Sequence, residues 1–207
     1  MTEALFWVSY FGLWVLTLTL LAAVFFLYRY HGQLFLNSAE GRTKQGPALR
    51  RSIPSQSVRN LQGDESVLGG IGKDRQFVFF ASVQCGPCSQ ALPALNAFAK
   101  AHEAQMQTTV VCKGNSNEVA DFTRVLGPEI RVVADPKWTI GTKLRVSSTP
   151  FAFILDAHGI VRAKGMPVDQ EGFEWFVDQI LRYEERSQQP VPIALGHARQ
   201  SPQGEPI

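Results

Sequence analysis

Cysteine and histidine are scarce in this chain, and several common sequence patterns are missing. The 207 residues include three cysteines and four histidines. No segment recurs at a period of about 20 to 50 residues, which excludes a solenoid. The basic residues form neither a nucleic-acid-binding motif nor a stripe interleaved with aromatics, so we expect no nucleic-acid partner. The net charge of +2 identifies no partner by itself.

Charged residues are absent from 4–28, a segment made mostly of apolar and aromatic side chains. A helix rises about 1.5 Å per residue, so this segment is long enough to cross a hydrocarbon layer of about 30 Å. A cleaved signal peptide would have a basic region, a shorter apolar run and a small-residue cleavage site. This segment has neither the basic region nor the cleavage site, and its apolar run is longer. We therefore expect an uncleaved, single-pass anchor in the cell inner membrane.

Composition separates two further segments from the middle of the chain. Residues 29–60 contain six basic residues against the single acid Glu40, with glycines and prolines interspersed. The part from 29 to 56 therefore has the composition of a juxtamembrane linker near anionic headgroups. Residues 187–207 contain four prolines, four glutamines and no periodicity, so we expect a disordered tail there.

The remaining segment, 57–186, alternates short apolar runs with stretches of helical periodicity, which predicts an α/β domain. The run RQFVFFAS (75–82) is typical of a central strand that is buried on both faces. The helix after it is expected to kink at Pro93. Other strands are expected at SVRNLQG, TTVVCKG, IRVVAD, TPFAFILD and GIVRAKG, and the last two of these strands form a hairpin. Helices are expected between the earlier strands, and one of these helices starts at Pro136. A final helix is expected at DQEGFEWFVDQILRYEE. This order predicts a mixed sheet flanked by helices, preceded by one transmembrane helix.

Two of the three cysteines lie in the motif CGPC, directly after the predicted central strand. Cys85 is expected at the start of a helix, where free backbone N–H groups and the helix dipole stabilise a thiolate. Cys88 is close enough to form a disulfide with Cys85 or to resolve a mixed one. Gly86 and Pro87 form the loop between them, and proline suits the first turn of a helix. The arrangement favours thiol–disulfide exchange, with Cys85 as the nucleophile and Cys88 as the resolving thiol.

Other uses of the cysteine pair remain open at this point. A structural zinc site needs four ligands, and outside the motif the chain offers only Cys112 and histidines without a second paired motif. Covalent haem attachment needs a histidine where Ser89 stands. An inert pair in the core is the third alternative. Cys112 itself ends an apolar strand and is expected to be a buried, unreactive side chain. We therefore expect no metal and no cofactor.

Three features far apart in the chain resemble the thioredoxin superfamily: the CGPC motif, Pro93 five residues after the second cysteine, and Thr149-Pro150 before a strand. In that superfamily the last would be a cis-proline beside the active disulfide. The resemblance implies that Thr149 and Pro150 bind an extended segment of a protein substrate. Within the superfamily, the anchor and the phrase VSSTPFAFILDAHGIVRAKGM are similar to the membrane-anchored methylamine dehydrogenase accessory protein group.

The chain departs from these families around the dithiol. The accessory proteins usually have proline directly after the first cysteine, where this chain has glycine and then proline, and intervening residues influence the redox poise. Thioredoxins carry a buried acid six residues before the first cysteine and an aromatic directly before it, and this chain has Phe79 and Gln84 there. Proton transfer from Cys88 must then use water or another group, for which Lys113 and Asp135 are candidates.

The resemblance implies a membrane-tethered thiol–disulfide oxidoreductase, expected as a monomer, with cysteine-containing protein substrates and a separate redox partner. A thiol peroxidase is the first alternative, because Ser82 lies three residues before Cys85, although Val78 stands where peroxiredoxins have proline. A redox-inactive adaptor, holding a partner in the groove beside Thr149 and Pro150, is the second. The basic residues after the anchor favour a cytoplasmic domain, whereas the disulfide chemistry and the resemblance favour the periplasm, which we expect.

Overall fold

A computed structural model describes residues 2–36, 45–72 and 74–188. The linker residues 37–44 and positions 189–207 of the predicted tail lie outside the described residues, whereas Ser187 and Gln188, the first two residues of that tail, are helical. The first element is helix α1 (Thr2–Leu36), which contains the apolar window Phe6–Leu27 with a mean hydropathy of 2.2. None of this window is buried against the described part of the chain. The helix is therefore long and apolar enough to cross a membrane, where the sequence predicts an anchor.

The chain after α1 forms seven strands and four helices within the described residues. In chain order they are β1 (Gln56–Arg59), β2 (Glu65–Leu68), β3 (Arg75–Ser82), α2 (Gly86–Ala101), β4 (Met106–Lys113), α3 (Ser116–Phe122), β5 (Ile130–Ala134), α4 (Thr139–Lys143), β6 (Phe151–Leu155), β7 (Val161–Gly165) and α5 (Gln170–Gln188).

A five-stranded sheet with the order β5-β4-β3-β6-β7 forms the centre of the domain. Strands β3, β4 and β5 are parallel, whereas β6 is antiparallel to both of its neighbours, β3 and β7. The predicted mixed sheet is therefore confirmed. Because β3 is central and covered on both faces, its residues from Phe77 to Ala81 are fully buried, which explains a continuous apolar run without polar alternation.

The helices cover the sheet on both faces. Helices α2 and α5 pack on one face of the sheet. Helix α4 packs on the other face, together with the segment around Ile53 that precedes β1. Helix α2 continues through Pro93 to Ala101. Helix α4 begins at Thr139 and not at Pro136 as predicted, because Trp138 directly before it has a left-handed backbone with a φ of 53°.

Residues 45–56 pack against the domain, although their composition assigns them to the linker. Ser52 forms a β-bridge with Ile160 of the β6–β7 turn, and Ile53 is buried. Strands β1 and β2 then form a separate antiparallel hairpin. The sequence predicts β1 and misses its partner β2.

A cluster of phenylalanine rings holds α5 against the sheet. Phe173 of α5 is fully buried, and its ring centroid lies 6.0 Å from that of Phe77, 5.8 Å from Phe79 and 5.6 Å from Phe98. One ring therefore contacts the central strand and helix α2 together.

Truncation of this ring should be costly. We expect Phe173→Ala to lower the free energy of unfolding by about 3 to 5 kcal/mol, since both the buried ring and its packing are lost. Urea denaturation of the full chain in detergent measures this change. The control is Val125→Ala at a side chain that is 59% exposed, which should change the free energy by less than about 0.5 kcal/mol. Equal effects of the two substitutions would contradict the central role of Phe173.

Candidate active site

The dithiol lies at the edge of the sheet where the parallel strands end. Strand β3 ends at Ser82, and the Cys85 N–H donates to the Ser82 carbonyl at 3.0 Å. Cys85 is also the N-cap of α2, as the sequence predicts. The carboxyl end of a central strand and the N-terminus of a long helix therefore meet at Cys85, which is a common place for functional groups in α/β folds.

Cys85 and Cys88 form a disulfide, and their Cα atoms are 5.2 Å apart. Cys85 is partly exposed, whereas Cys88 is fully buried in the core. The Cys88 N–H donates to Cys85 Sγ at 3.2 Å. Because this N–H and the positive end of α2 lie at Cys85, a thiolate is stabilised there when the pair is reduced. Of the two cysteines, only Cys85 is therefore accessible from the surface.

The two residues between the cysteines form an open surface beside the disulfide. Gly86 and Pro87 are both exposed. Apart from its chain neighbours and the backbone of its own helix, no atom of the described residues lies within 4 Å of the position that a Cβ at residue 86 would occupy. Ser89 Oγ donates a hydrogen bond to the Gly86 carbonyl at 2.8 Å, and this bond restrains the backbone of the loop. The loop is therefore held in place while its outer surface stays open.

Thr149 and Pro150 lie at the same edge of the sheet. The peptide bond between them is cis, Pro150 is buried and Thr149 is half-buried. Phe151 at the start of β6 pairs with Phe80 of β3 in antiparallel register. Continuing this register by one residue places Pro150 beside Ala81, close to the end of the strand that carries the dithiol.

An open pocket of about 270 Å³ lies between the end of β7 and the start of α5. Its lining includes Pro167 and Trp175 together with the acids Asp169 and Glu171. Ala152 pairs with Gly165, so the pocket follows the strand that neighbours the start of β6.

The position of the missing acid and the two candidate proton acceptors lie in different surroundings. Phe79 is fully buried among aromatic rings. The Asp135 carboxylate accepts hydrogen bonds from the N–H groups of Thr139 at 2.7 Å, Ile140 at 2.7 Å and Gly141 at 3.2 Å. The Asp135 side chain therefore binds the first N–H groups of α4 from a position before the N-cap residue Trp138. Sequence reasoning missed this role because the usual capping acid stands at the N-cap itself. Lys113 is exposed at the end of β4.

Cys112 is fully buried on β4, where it pairs with Ala81 of β3. Burial raises the pKa of its thiol from the ordinary value of 9.0 to about 12. Because the thiolate is the reactive form, this thiol is unreactive near neutral pH. The predicted role of Cys112 as a buried small side chain is confirmed.

Gln45 contacts the loop before Pro150, and sequence reasoning missed it. Its side-chain carbonyl accepts hydrogen bonds from the backbone N–H groups of Ser147 at 3.2 Å and Ser148 at 3.0 Å. Gln45 is only 7% exposed. No local signal identifies Gln45, because it lies in a basic stretch with glycines and prolines whose composition predicts a linker.

Comparisons with known proteins agree with this geometry. The redoxin family model matches residues 55–180, which is more than half of the chain. The chain is 25% identical over 177 residues to methylamine utilization protein MauD of Paracoccus versutus, with 84% of each chain covered. It is also similar in structure to a secreted Mycobacterium tuberculosis disulfide oxidoreductase homologous to E. coli DsbE, at 14% identity and a TM-score of 0.51, covering 61% of this chain and 95% of that one.

A peroxiredoxin-like protein from Aquifex aeolicus has the same fold, with a TM-score of 0.53 and 15% identity over 67% of this chain and 91% of that one. At such low identity, the likeness of the two structures establishes the thioredoxin-like fold and leaves the chemistry to the residues of the site. The family match extends across the dithiol and the Thr149-Pro150 segment together. This chain therefore belongs to the redoxin family, within the thioredoxin superfamily, and is similar to MauD.

Proposed function

We propose that this chain is a membrane-tethered thiol–disulfide oxidoreductase whose Cys85–Cys88 pair exchanges disulfides with cysteine-containing proteins outside the cytoplasm. The observation that carries the proposal is the asymmetry of the pair: Cys85 is partly exposed at a helix N-terminus, and Cys88 is fully buried behind it. An oxidoreductase role agrees with the redoxin family and with the MauD relatives.

The oxidised pair accepts electrons in two steps. A substrate thiolate attacks Cys85 Sγ, because Cys88 Sγ lies in the core. The bond between the two cysteines breaks, Cys88 leaves as a thiolate that takes up a proton, and a mixed disulfide forms. A second substrate thiolate attacks the substrate sulfur of that bond and releases Cys85. The substrate gains one disulfide, and the chain holds two electrons that a redox partner removes.

The reduced pair runs the same steps backwards. The Cys85 thiolate attacks a disulfide of the substrate, and one substrate sulfur leaves as a thiolate. Cys88 then gives its proton to water and attacks Cys85 Sγ, which closes the intramolecular disulfide, and the substrate leaves through its second sulfur as a thiolate. Which direction prevails depends on the potential of the pair relative to its partners.

The substrate is proposed to bind beside the dithiol in extended form. The backbone at Thr149 lies at the edge of the site, where it can pair with an extended segment of another protein. The pocket beside Pro167 and Trp175 would then hold one apolar side chain of that segment. Recognition of backbone and of one side chain suits an enzyme that acts on several protein substrates.

Membrane tethering and the compartment are further parts of the proposal. Residues 4–28 are proposed to anchor the protein once in the inner membrane, and 29–56 to join the anchor to the redox domain; the apolar window Phe6–Leu27 supports the first of these. The domain is proposed to lie in the periplasm, because disulfides form and persist in oxidising compartments.

The proposed activity is tested with the purified full chain in detergent. We expect it to accelerate the reduction of insulin disulfides by dithiothreitol, and its dithiol to reach equilibrium with glutathione buffers. Hydrogen peroxide should be consumed no faster than by an ordinary thiol. A pair that does not cycle would favour the redox-inactive adaptor, and rapid peroxide consumption would favour the thiol peroxidase. Either result would overturn the proposal.

A further inference from the structure

The side chain of Gln45 holds the segment that enters the domain against the loop before Thr149 and Pro150. Oε1 of Gln45 accepts hydrogen bonds from the backbone N–H groups of Ser147 and Ser148 at 3.2 and 3.0 Å, and from both of their hydroxyls at 3.0 Å. The hydroxyls rotate and can find other acceptors, whereas the backbone N–H groups cannot. The two backbone bonds therefore define where this loop lies, and the next two residues are Thr149 and Pro150.

The backbone around Gln45 is held as firmly as its side chain. The Gln45 carbonyl accepts a hydrogen bond from Lys164 Nζ of β7 at 2.8 Å, and the Lys164 side chain is buried. The Gly46 N–H donates to the Arg145 carbonyl at 2.7 Å. Gly46 has a φ of 72°, and a Cβ at this position would lie 2.3 Å from the Phe151 ring. The chain therefore approaches the start of β6 so closely that residue 46 must be glycine.

We propose that Gln45 is a positioning residue for substrate binding, which holds the 147–149 loop in the shape that receives an extended protein segment. This inference rests on the proposed function. Gln45 does not touch the dithiol within the described contacts, so it acts through the loop and not on the reacting sulfurs. A loop that is already ordered loses less conformational freedom when a substrate binds, and its affinity is correspondingly higher.

The test removes the acceptor and keeps the shape of the side chain. Gln45→Met replaces the carbonyl with a group of similar size that accepts hydrogen bonds only weakly. We expect this substitution to raise KM for a disulfide-containing protein about tenfold, the effect of losing one or two net hydrogen bonds. Its kcat on that protein, and its rate with a small disulfide such as oxidised glutathione, should change little, because the dithiol is intact.

Two related variants separate positioning from folding. Gln45→Glu keeps oxygen acceptors at the same distance and should restore KM to within about threefold of the wild type. Gln45→Asn withdraws the carbonyl by one methylene and should behave like Gln45→Met, which provides a second measurement if the methionine variant folds poorly. The matched control is Gln62→Met at an exposed glutamine between β1 and β2, which should leave both substrates unaffected.

The outcomes distinguish this inference from the proposed function. If the wild-type chain catalyses no exchange with either substrate, the proposed function fails. If the wild-type chain is active and Gln45→Met has an unchanged KM for the protein substrate, the positioning role fails alone. Equal losses on the protein and on the small disulfide, accompanied by a lower Tm for every substitution of Gln45, would also overturn it, because a merely structural residue behaves in that way.

Discussion

A Cys88→Ala variant should accumulate mixed disulfides between Cys85 and its protein partners, whereas the wild-type chain should hold almost none. Cys88 is the thiol that releases a bound partner, and alanine in its place leaves the adduct without an intramolecular attacker. Because Cys88 is fully buried in an apolar cluster, alanine suits its surroundings. The variant is expressed at native level, thiols are quenched with acid, and covalent complexes are separated without reductant and identified by mass spectrometry.

Three variants control this experiment. Cys85→Ser in the Cys88→Ala background should carry no adducts, and Cys85→Ser alone should show exchange at the uncatalysed rate. Cys112→Ala should leave activity nearly unchanged, because burial raises the pKa of the Cys112 thiol to about 12 and keeps it protonated. Partners outside the cytoplasm, such as dehydrogenase subunits or apocytochromes, would support the proposed function and identify the pathway. Adducts that persist without Cys85 would show that the roles of the cysteines are assigned wrongly.

The sequence predicts the part of the site that depends on local order. A strand buried on both faces needs a continuous apolar run, and RQFVFFAS shows one over the whole of β3. The CGPC motif follows within three residues, so its position at the start of a helix is a local property as well. Cys112 was also predictable, since a cysteine within an apolar strand has little polar surface around it.

The missed parts of the site depend on contacts between distant residues. Gln45 and Ser147 are more than a hundred positions apart, and no periodicity or motif connects them. The sequence makes Asp135 a candidate proton acceptor, because it directly follows a predicted strand. Its carboxylate instead satisfies three N–H groups of α4, which becomes visible only when the short helix is known to begin at Thr139.

The absence of an acid at Phe79 has a physical consequence for the dithiol. In this chain the position belongs to a buried aromatic cluster with Phe173. An apolar environment disfavours charge, so the buried Cys88 thiol should lose its proton less readily than Cys85. We therefore expect the two thiols to differ because one is buried and the other lies at a helix N-terminus, and this expected difference does not require a dedicated acid.

The orientation of the chain in the membrane depends on two opposing effects. Arg29, Arg42 and Lys44 follow the predicted anchor closely, and basic residues near a span favour the cytoplasmic side. Domains longer than about 60 residues, however, cross the membrane largely regardless of their charge. A dithiol that cycles through a disulfide also fits an oxidising compartment. We give the second effect more weight, because the redox domain is well above this length.

A single exposed cysteine should therefore react from outside the cytoplasm. In a chain with Cys85→Ala and Cys88→Ala, the added substitution Ile71→Cys should label with a membrane-impermeant maleimide in intact spheroplasts as fully as after lysis. Ile71 is 87% exposed, and the buried Cys112 does not contribute. Thr2→Cys at the other end of α1 is the matched control and should label only after lysis. If Ile71→Cys labels only after lysis, the local charges determine the topology, and the dithiol would then work in a reducing compartment, where cytosolic thiols keep such pairs reduced.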